Sequence, residues 1–163
     1  MQSRFFENTV AEVMAAAGSY SELALRRALA NSKVLSSDVS AAFDPNFPSV
    51  MTKRNTAYFG KGLVFNKYTG SRGKGGSNDA NAEYIGKLRN IMDTNEVSFQ
   101  TAELGKVDQG GGGTIAKYVA NMNVDVVDLG VPVLSMHAPF EIVSKTDVYM
   151  AYRAFFTFFD TKD

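Results

Sequence analysis

Short segments rich in apolar and β-branched residues alternate along this chain with segments whose apolar residues recur at helical spacing. The strand-like segments are 33–39, 62–68, 97–104, 125–128 and 133–136, and the helix-like segments are 3–16, 19–31, 79–92, 114–121 and one that begins at 144. Strands separated by helices form largely parallel sheets that carry helices on both faces. The alternation therefore predicts an α/β fold: one three-layer domain in which helices flank a mostly parallel sheet.

Side chains of capping type indicate where three of these helices begin. Ser19 with Glu22, and Ser144 with Asp147, have the spacing of a capping box. Asp79 precedes the apolar helical pattern of residues 79–92, where a carboxylate can accept the first free N–H groups. The sequence predicts helix starts at these three points.

The composition excludes several kinds of site. The 163 residues include no cysteine, which excludes a disulfide scaffold, a thiolate metal site and a cysteine nucleophile. The formal net charge is zero, which gives no argument for nucleic acid as a partner. No apolar run approaches the length that spans a membrane, and the N-terminus lacks the pattern of a secretory signal. The one histidine, His137, excludes any site that needs two histidines from this chain.

A run of four glycines before Thr114 permits three interpretations. Gly111, Gly113 and Ala116 match a degenerate dinucleotide-binding pattern, and Asp128 closes the next strand where a ribose-binding acid would sit. The run could instead be a tight connection from a strand to a helix. It could also be a loop whose backbone lies close to a substrate or a metal, since glycine alone tolerates such an approach.

Two further polar residues lie where predicted strands end, and a basic loop follows a third. Asp38 and His137 stand at strand ends, where ligands gather in α/β sheets, but they could also be a turn former and an ordinary surface histidine. Lys67, Arg72 and Lys74 could hold a carboxylate or a phosphate, or simply form a solvated loop. The aromatic run at 155–159 is too dense to be wholly exposed, so a neighbour should cover part of it.

Four local motifs together resemble one family of enzymes. They are ELGKVDQGGGGTIA at 103–116, DLGVPVLSMHAPFE at 128–141, SDVSAAFDPN at 37–46, and KYTGSRGK at 67–74. In their order along the chain, the first three are similar to the motifs of the aminopeptidase I and aspartyl aminopeptidase family of zinc metallopeptidases, and the fourth is similar to a motif of its bacterial branch. The resemblance runs from residue 1 to about residue 159.

The resemblance implies a site of two zinc ions that removes N-terminal residues from peptides with metal-activated water. It assigns Asp38 and His137 as ligands, each to a different ion of the pair. It also implies that four residues lie near the substrate: Lys67, Gly112, Gly113 and Thr114. Asp108 and Glu141 are expected to order their loops, and Glu141 is expected to support a metal ligand.

The chain departs from the family pattern at several points. The family uses a second histidine, which this chain lacks, and its aspartyl branch has a histidine where Ala41 stands, so aspartyl specificity does not carry over. The general-base glutamate, the bridging aspartate and the inserted dimerisation domain are not matched here, and the base is expected upstream of Met1. Residues 1–163 are thus predicted to be the C-terminal part of a catalytic domain, with an incomplete fold of the zinc-exopeptidase type.

The same resemblance predicts a cytoplasmic homo-oligomer that is inactive as an isolated chain, since full-length family members form a dodecamer. Peptides are the predicted substrates, with no nucleic-acid or membrane partner. Two alternatives stay open at this point. The first is a non-catalytic, self-associating structural module, and the second is a nucleotide-binding domain that uses residues 111–116.

Overall fold

The computed structural model describes residues 3–70, 72 and 75–161 as a succession of helices and strands. Within those residues the helices are α1 (Phe5–Ala16), α2 (Glu22–Asn31), α3 (Ala82–Thr94), α4 (Ala116–Ala120) and α5 (Lys145–Asp160). The strands are β1 (Lys33–Ser36), β2 (Ser40–Ala41), β3 (Leu63–Asn66), β4 (Tyr68–Thr69), β5 (Asn78–Asp79), β6 (Phe99–Thr101), β7 (Asp125–Gly130), β8 (Pro132–Leu134) and β9 (Ile142–Val143). Short 3₁₀ turns occupy Pro48–Val50 and Lys53–Asn55.

The central sheet has four strands in the order β1-β7-β3-β6. β1 pairs with β7 in parallel and β3 pairs with β6 in parallel, whereas β3 and β7 run antiparallel. A smaller sheet has three strands in the order β2-β8-β9. In this sheet β2 pairs in parallel with β8, and β8 pairs antiparallel with β9. The α/β class and the mostly parallel sheet are therefore confirmed, and the antiparallel β3–β7 pairing is an additional feature.

Helices cover both faces of the central sheet. Leu35 of β1 packs into a core cluster with residues of α3 and α5, whereas its neighbour Val34 packs into a second cluster with Leu25 and Leu29 of α2. Because successive residues of a strand point to opposite faces, these two clusters lie on opposite sides of the sheet. The predicted three-layer arrangement is confirmed.

Of the three predicted helix caps, only Ser144 is confirmed. The Ser144 hydroxyl accepts the Asp147 N–H at the start of α5, as predicted. The α2 helix is capped by Ser21 instead of Ser19. The α3 helix is capped by Asn81, because Asp79 is already paired across the β4–β5 hairpin with Tyr68.

Three predicted strands are interrupted or shortened near the candidate site. The segment 33–39 ends as a strand at Ser36, so Asp38 lies in the connection between β1 and β2. The segment 62–68 is divided into β3 and β4, and β8 ends at Leu134, three residues before His137. These breaks leave three polar residues outside the strands: Asp38, Lys67 and His137.

Two helices present apolar side chains to solvent. The α1 helix contains no buried residue, and its Phe5 and Val13 are exposed. On α5, the rings of Tyr149, Tyr152 and Phe156 form an exposed row in which neighbouring centroids lie 6.3 and 6.2 Å apart. Within the described part of the chain, every helix is too short or too polar to cross a bilayer.

Candidate functional site

The Asp38 carboxylate lies exposed in the turn between β1 and β2. Its Oδ1 accepts the N–H of Val39 at 2.8 Å, which fixes the rotamer of the side chain. Its Oδ2 makes no hydrogen bond or ion pair within residues 3–70, 72 and 75–161. This oxygen is therefore available to an external cation.

His137 lies in a tight turn directly after β8. Both Ser135 (φ 57°) and His137 (φ 68°) adopt the left-handed backbone conformation, which is uncommon for residues other than glycine. The turn is held by the Ala138 N–H, which donates to the Ser135 carbonyl at 2.9 Å, and by the His137 N–H, which donates to the Glu141 carboxylate. Such strained conformations persist only where surrounding contacts hold them. Glu141 thus contacts the backbone of His137.

The His137 imidazole is exposed, and no described residue binds either of its nitrogens. Asp38 precedes β2 and His137 follows β8, the parallel partner of β2, so the two candidate ligands lie toward opposite ends of one small sheet. Carboxylate oxygen and imidazole nitrogen are ligand types that zinc takes, and both groups are uncommitted. The donor set therefore fits a contribution to a zinc site.

The described residues bring together too few donors for a complete catalytic zinc site. A catalytic zinc ion is held by three protein ligands and keeps a fourth position open. Among the residues that the structure describes, no three histidine, cysteine or acidic side chains are grouped so that they could hold a metal. The other ligands of such a zinc site would have to come from outside the described residues of this chain.

The glycine loop is anchored by Asp128, a β7 residue that is 1% exposed. Its Oδ2 accepts hydrogen bonds from Thr114 at 2.7 Å and from Thr69 at 3.2 Å. Burial raises the pKa of Asp128, the nearby hydroxyls of Ser36, Thr114 and Thr69 lower it, and the negative charge of Asp38 raises it further. Because this carboxylate is buried and its Oδ2 already accepts from both threonines, the acid that the dinucleotide hypothesis assigns to ribose is not exposed to a ligand.

The four glycines of the loop have different surroundings. A Cβ on Gly111, whose φ is 109°, would lie 2.0 Å from the Gly70 carbonyl oxygen, and one on Gly110 would lie 2.8 Å from the Lys106 nitrogen. A Cβ on Gly112 would meet nothing within 4 Å, and one on Gly113 would meet only the Lys117 ammonium at 3.6 Å. The first two glycines are therefore needed for packing within the chain, whereas the last two face open space.

The Lys67 ammonium, a predicted substrate contact, is engaged inside the chain. It forms an ion pair with Asp79 and donates to the Ala80 carbonyl at 2.7 Å. These bonds join the residue that precedes β4 to the end of β5. Arg72 is exposed, and Lys74 lies outside the described residues.

A phenol–carboxylate pair beside the glycine loop was not anticipated from the sequence. The Tyr68 hydroxyl donates to Glu103, and this bond, burial and the charges of Glu103, Asp108 and Asp79 raise the pKa of Tyr68 to about 12. Tyr68, Glu103 and Asp108 also line a small cavity with Gly110 and Gly111. Asp108 itself is exposed and has a φ of 63°. No local pattern signals this pair, because its members are 35 residues apart.

Residues 1–159 match the family model described as aminopeptidase I zinc metalloprotease (M18). A probable M18 family aminopeptidase 1 of Clostridium acetobutylicum is 67% identical over 149 residues, which are 91% of this chain and 32% of that protein. The crystal structure of an M18 aminopeptidase from Thermotoga maritima superposes with a TM-score of 0.91 at 42% identity, over 94% of this chain and 34% of that one.

A more distant structure, the mApe1 dodecamer of S. cerevisiae, shares the fold with a TM-score of 0.71 at 20% identity. It is matched over 98% of this chain and 33% of that one. The chain thus spans about a third of the length of the curated relatives that it matches. Because the family model matches nearly the whole of this chain, the chain belongs to the M18 family of aminopeptidase I zinc metalloproteases.

Proposed function

We propose that this chain is the C-terminal portion of the catalytic domain of a dinuclear zinc aminopeptidase and that it supplies Asp38 and His137 as ligands. The observation that supports the proposal is that both donors are exposed and make no side-chain contact that would prevent metal binding, one in the turn before β2 and the other in the turn after β8. Two zinc ions, when bound, polarise the scissile carbonyl and activate a water molecule. The hydrolysis of N-terminal residues from peptides is the activity to which these donors contribute.

The remaining residues of the chain position those donors and the substrate. Glu141 fixes the left-handed turn that presents His137, through the His137 N–H. Gly112 and Gly113 have no backbone neighbour that a Cβ would meet, so a peptide substrate can approach their main chain closely. Asp108 orders the opposite end of the glycine loop beside the Tyr68–Glu103 pair.

Lys67 joins the start of the β4–β5 hairpin to its end through Asp79 and Ala80. An ammonium has three N–H donors, so one of them stays available while these two bonds are kept. We therefore propose that Lys67 contacts the substrate with this third N–H.

The chain alone is expected to be inactive as a peptidase. Its single histidine cannot supply both histidine ligands that the family resemblance implies, and the general-base glutamate of that family is not matched in this chain. The complete enzyme would carry these groups in the part of the protein that corresponds to the other two thirds of its relatives. We also propose that the protein is cytoplasmic and that it is a homo-oligomer. The exposed apolar side chains of α1 and α5 support the homo-oligomer.

A second candidate is a non-catalytic, self-associating module. The same exposed apolar faces favour it, together with the absence of any three-ligand group among the described residues. The two candidates differ in whether Asp38 and His137 matter for catalysis once the rest of an M18 protein is present.

A chimaera tests the proposal. In it, the matched segment of the Clostridium acetobutylicum relative is replaced by this full chain, and the rest of the relative is retained. We expect the chimaera to hydrolyse aminoacyl anilides in a zinc-dependent manner that a chelator abolishes, and the isolated chain to have no such activity. Because loss of residues that only support a ligand costs about 10- to 100-fold, Asp38→Asn and His137→Asn should each lower activity by about a hundredfold or more.

The control is Asp93→Asn, which removes an exposed carboxylate on α3 and should leave the activity within about twofold. A folded chimaera without activity, or one that tolerates both ligand substitutions, would favour the non-catalytic module. Zinc-dependent hydrolysis by the isolated chain would contradict the expectation that this chain is incomplete.

A further inference from the structure

Two loops that are far apart in the sequence are tied to one buried oxygen. Thr114, at the end of the glycine loop, and Thr69, at the end of β4, both donate to Oδ2 of Asp128, at 2.7 and 3.2 Å. The two hydroxyl oxygens lie 3.4 Å apart. Hydrogen bonds to an ionised group in the interior are stronger than neutral ones, so this carboxylate is an effective anchor for both loops.

The anchor continues into the backbone on each side. The Thr114 hydroxyl accepts the Ala116 N–H at 3.2 Å, which links the glycine loop to the first residue of α4. Gly111 packs so tightly on the Gly70 carbonyl that a Cβ would lie 2.0 Å from that oxygen. The glycine loop and the end of β4 are therefore held together at two points, only one of which involves Asp128.

Asp128 also has a fixed relationship to the proposed ligand Asp38. It pairs in register with Ser36 across β1 and β7, and Asp38 follows Ser36 by two residues. Gly130, two residues after Asp128, lies directly against the Asp38 carbonyl. A displacement at Asp128 would thus change the position of the glycine loop relative to the segment that carries Asp38.

We infer that Asp128 is a positioning residue that holds the backbone of Gly112 and Gly113 at the substrate side of the site, through the hydroxyl of Thr114. The inference rests on the proposed aminopeptidase function and extends it to how the N-terminal residue of a peptide is held. Asp128 is 1% exposed, so its carboxylate does not reach the surface that a substrate meets. Its effect is on the position of the loop that the substrate meets.

The expected signature is a change in KM without a matching change in kcat. An interaction made equally in the bound substrate and in the transition state alters KM and leaves kcat unchanged. Loss of a zinc ligand would instead lower kcat together with the zinc content. This difference separates a misplaced loop from a damaged metal site.

The test uses the active, zinc-loaded chimaera that contains the full chain. Thr114→Val removes the hydroxyl at nearly constant shape and should raise KM about tenfold, with kcat within about twofold. Thr114→Ser restores the hydroxyl and should return KM to within about twofold of the parent value. Thr146→Val, an exposed substitution on α5 with no side-chain hydrogen bond among the described residues, is the matched control.

A double-mutant cycle then identifies Asp128 as the partner. If Thr114 acts through Asp128, adding Thr114→Val to Asp128→Ala should change KM no further, because the shared interaction is already lost. Additive effects of the two substitutions on KM would overturn the inference. So would a KM for Thr114→Val within twofold of the parent, or a failure of Thr114→Ser to restore it.

The threonine variants give a result even where Asp128→Ala does not fold. An inactive parent chimaera would overturn the proposed function, and this inference with it. If the parent chimaera is active and the threonine variants have the KM of the parent, the inference is overturned and the proposed function stands.

Discussion

The α-carbon of Gly130 lies so close to the backbone of Asp38 that a Cβ would stand 1.3 Å from the Asp38 carbonyl oxygen. This contact joins the end of β7 to the turn that carries the proposed ligand. The next residue continues the contact, since the Ser40 N–H donates to the Val131 carbonyl at 3.0 Å. The position of Asp38 is thus determined by a glycine that lies 92 residues later in the chain.

Gly130→Ala should destabilise the protein strongly. The methyl group would overlap a backbone atom, which cannot move aside as a flexible side chain does, so we expect a loss of at least about 3 kcal/mol. Urea unfolding followed by circular dichroism measures the change. Gly86→Ala is the control, because Gly86 is exposed in α3 with open space around it, and it should raise stability by about 0.5–1 kcal/mol. Equal stability of Gly130→Ala and the parent would refute the close contact.

Asp147→Asn should also lower stability, because Asp147 binds the segment that leads into β3. The Asp147 carboxylate is fully buried and accepts the N–H groups of Gly60 and Gly62 at 2.8 and 2.9 Å. An amide offers one accepting oxygen and turns an NH₂ group toward the other donor, so we expect a loss of about 3 kcal/mol. Urea unfolding again measures it, with the exposed Asp93→Asn expected to stay within about 0.5 kcal/mol. A neutral Asp147→Asn would mean that the two glycine N–H groups find other acceptors.

Glu103→Gln should lower the pKa of Tyr68 from about 12 toward the ordinary value of about 10. The carboxylate accepts the phenol proton and its charge opposes the phenolate, so removing that charge makes ionisation easier. The Tyr68 pKa is about 12 in the folded state and about 10 in the unfolded state, so the folded state binds this proton more tightly. The parent should therefore lose stability as the pH rises from about 10 to about 12, and the variant should lose less.

An NMR titration of the Tyr68 ring carbon that bears the hydroxyl measures this shift directly. Glu12→Gln, which changes an exposed glutamate on α1, is the control and should leave the Tyr68 pKa unchanged. An unchanged pKa in Glu103→Gln would show that Glu103 is not the main cause of the shift.

Local patterns predicted the parts of this fold that depend on neighbouring residues. The alternation of helical and strand periods gave the correct layers, because each amphipathic segment must bury its own apolar face. Ser144 was identified as a cap because its partner, the Asp147 N–H, lies three residues away. At Asp79 the local rule failed, since pairing with Tyr68 across a hairpin engaged the residue first.

Relationships between distant segments were not predictable in the same way. The antiparallel β3–β7 pairing depends on residues such as Val64 and Gly130, which carry no local signal for each other. The hydroxyl network around Asp128 joins residues separated by 59 and 14 positions. The candidate ligands Asp38 and His137 were identified because their motifs resemble a known family, and their availability for a metal became visible only in the folded chain.

The zinc content of the purified chimaera tests the central claim most directly. If Asp38 and His137 each hold a different ion of a pair, the parent should carry two zinc ions per chain, and Asp38→Asn and His137→Asn should each lose one or both. Elemental analysis after dialysis against a weak chelator measures this content, with Asp93→Asn expected to match the parent. Two zinc ions retained in both ligand variants would contradict the assignment of these residues as metal ligands.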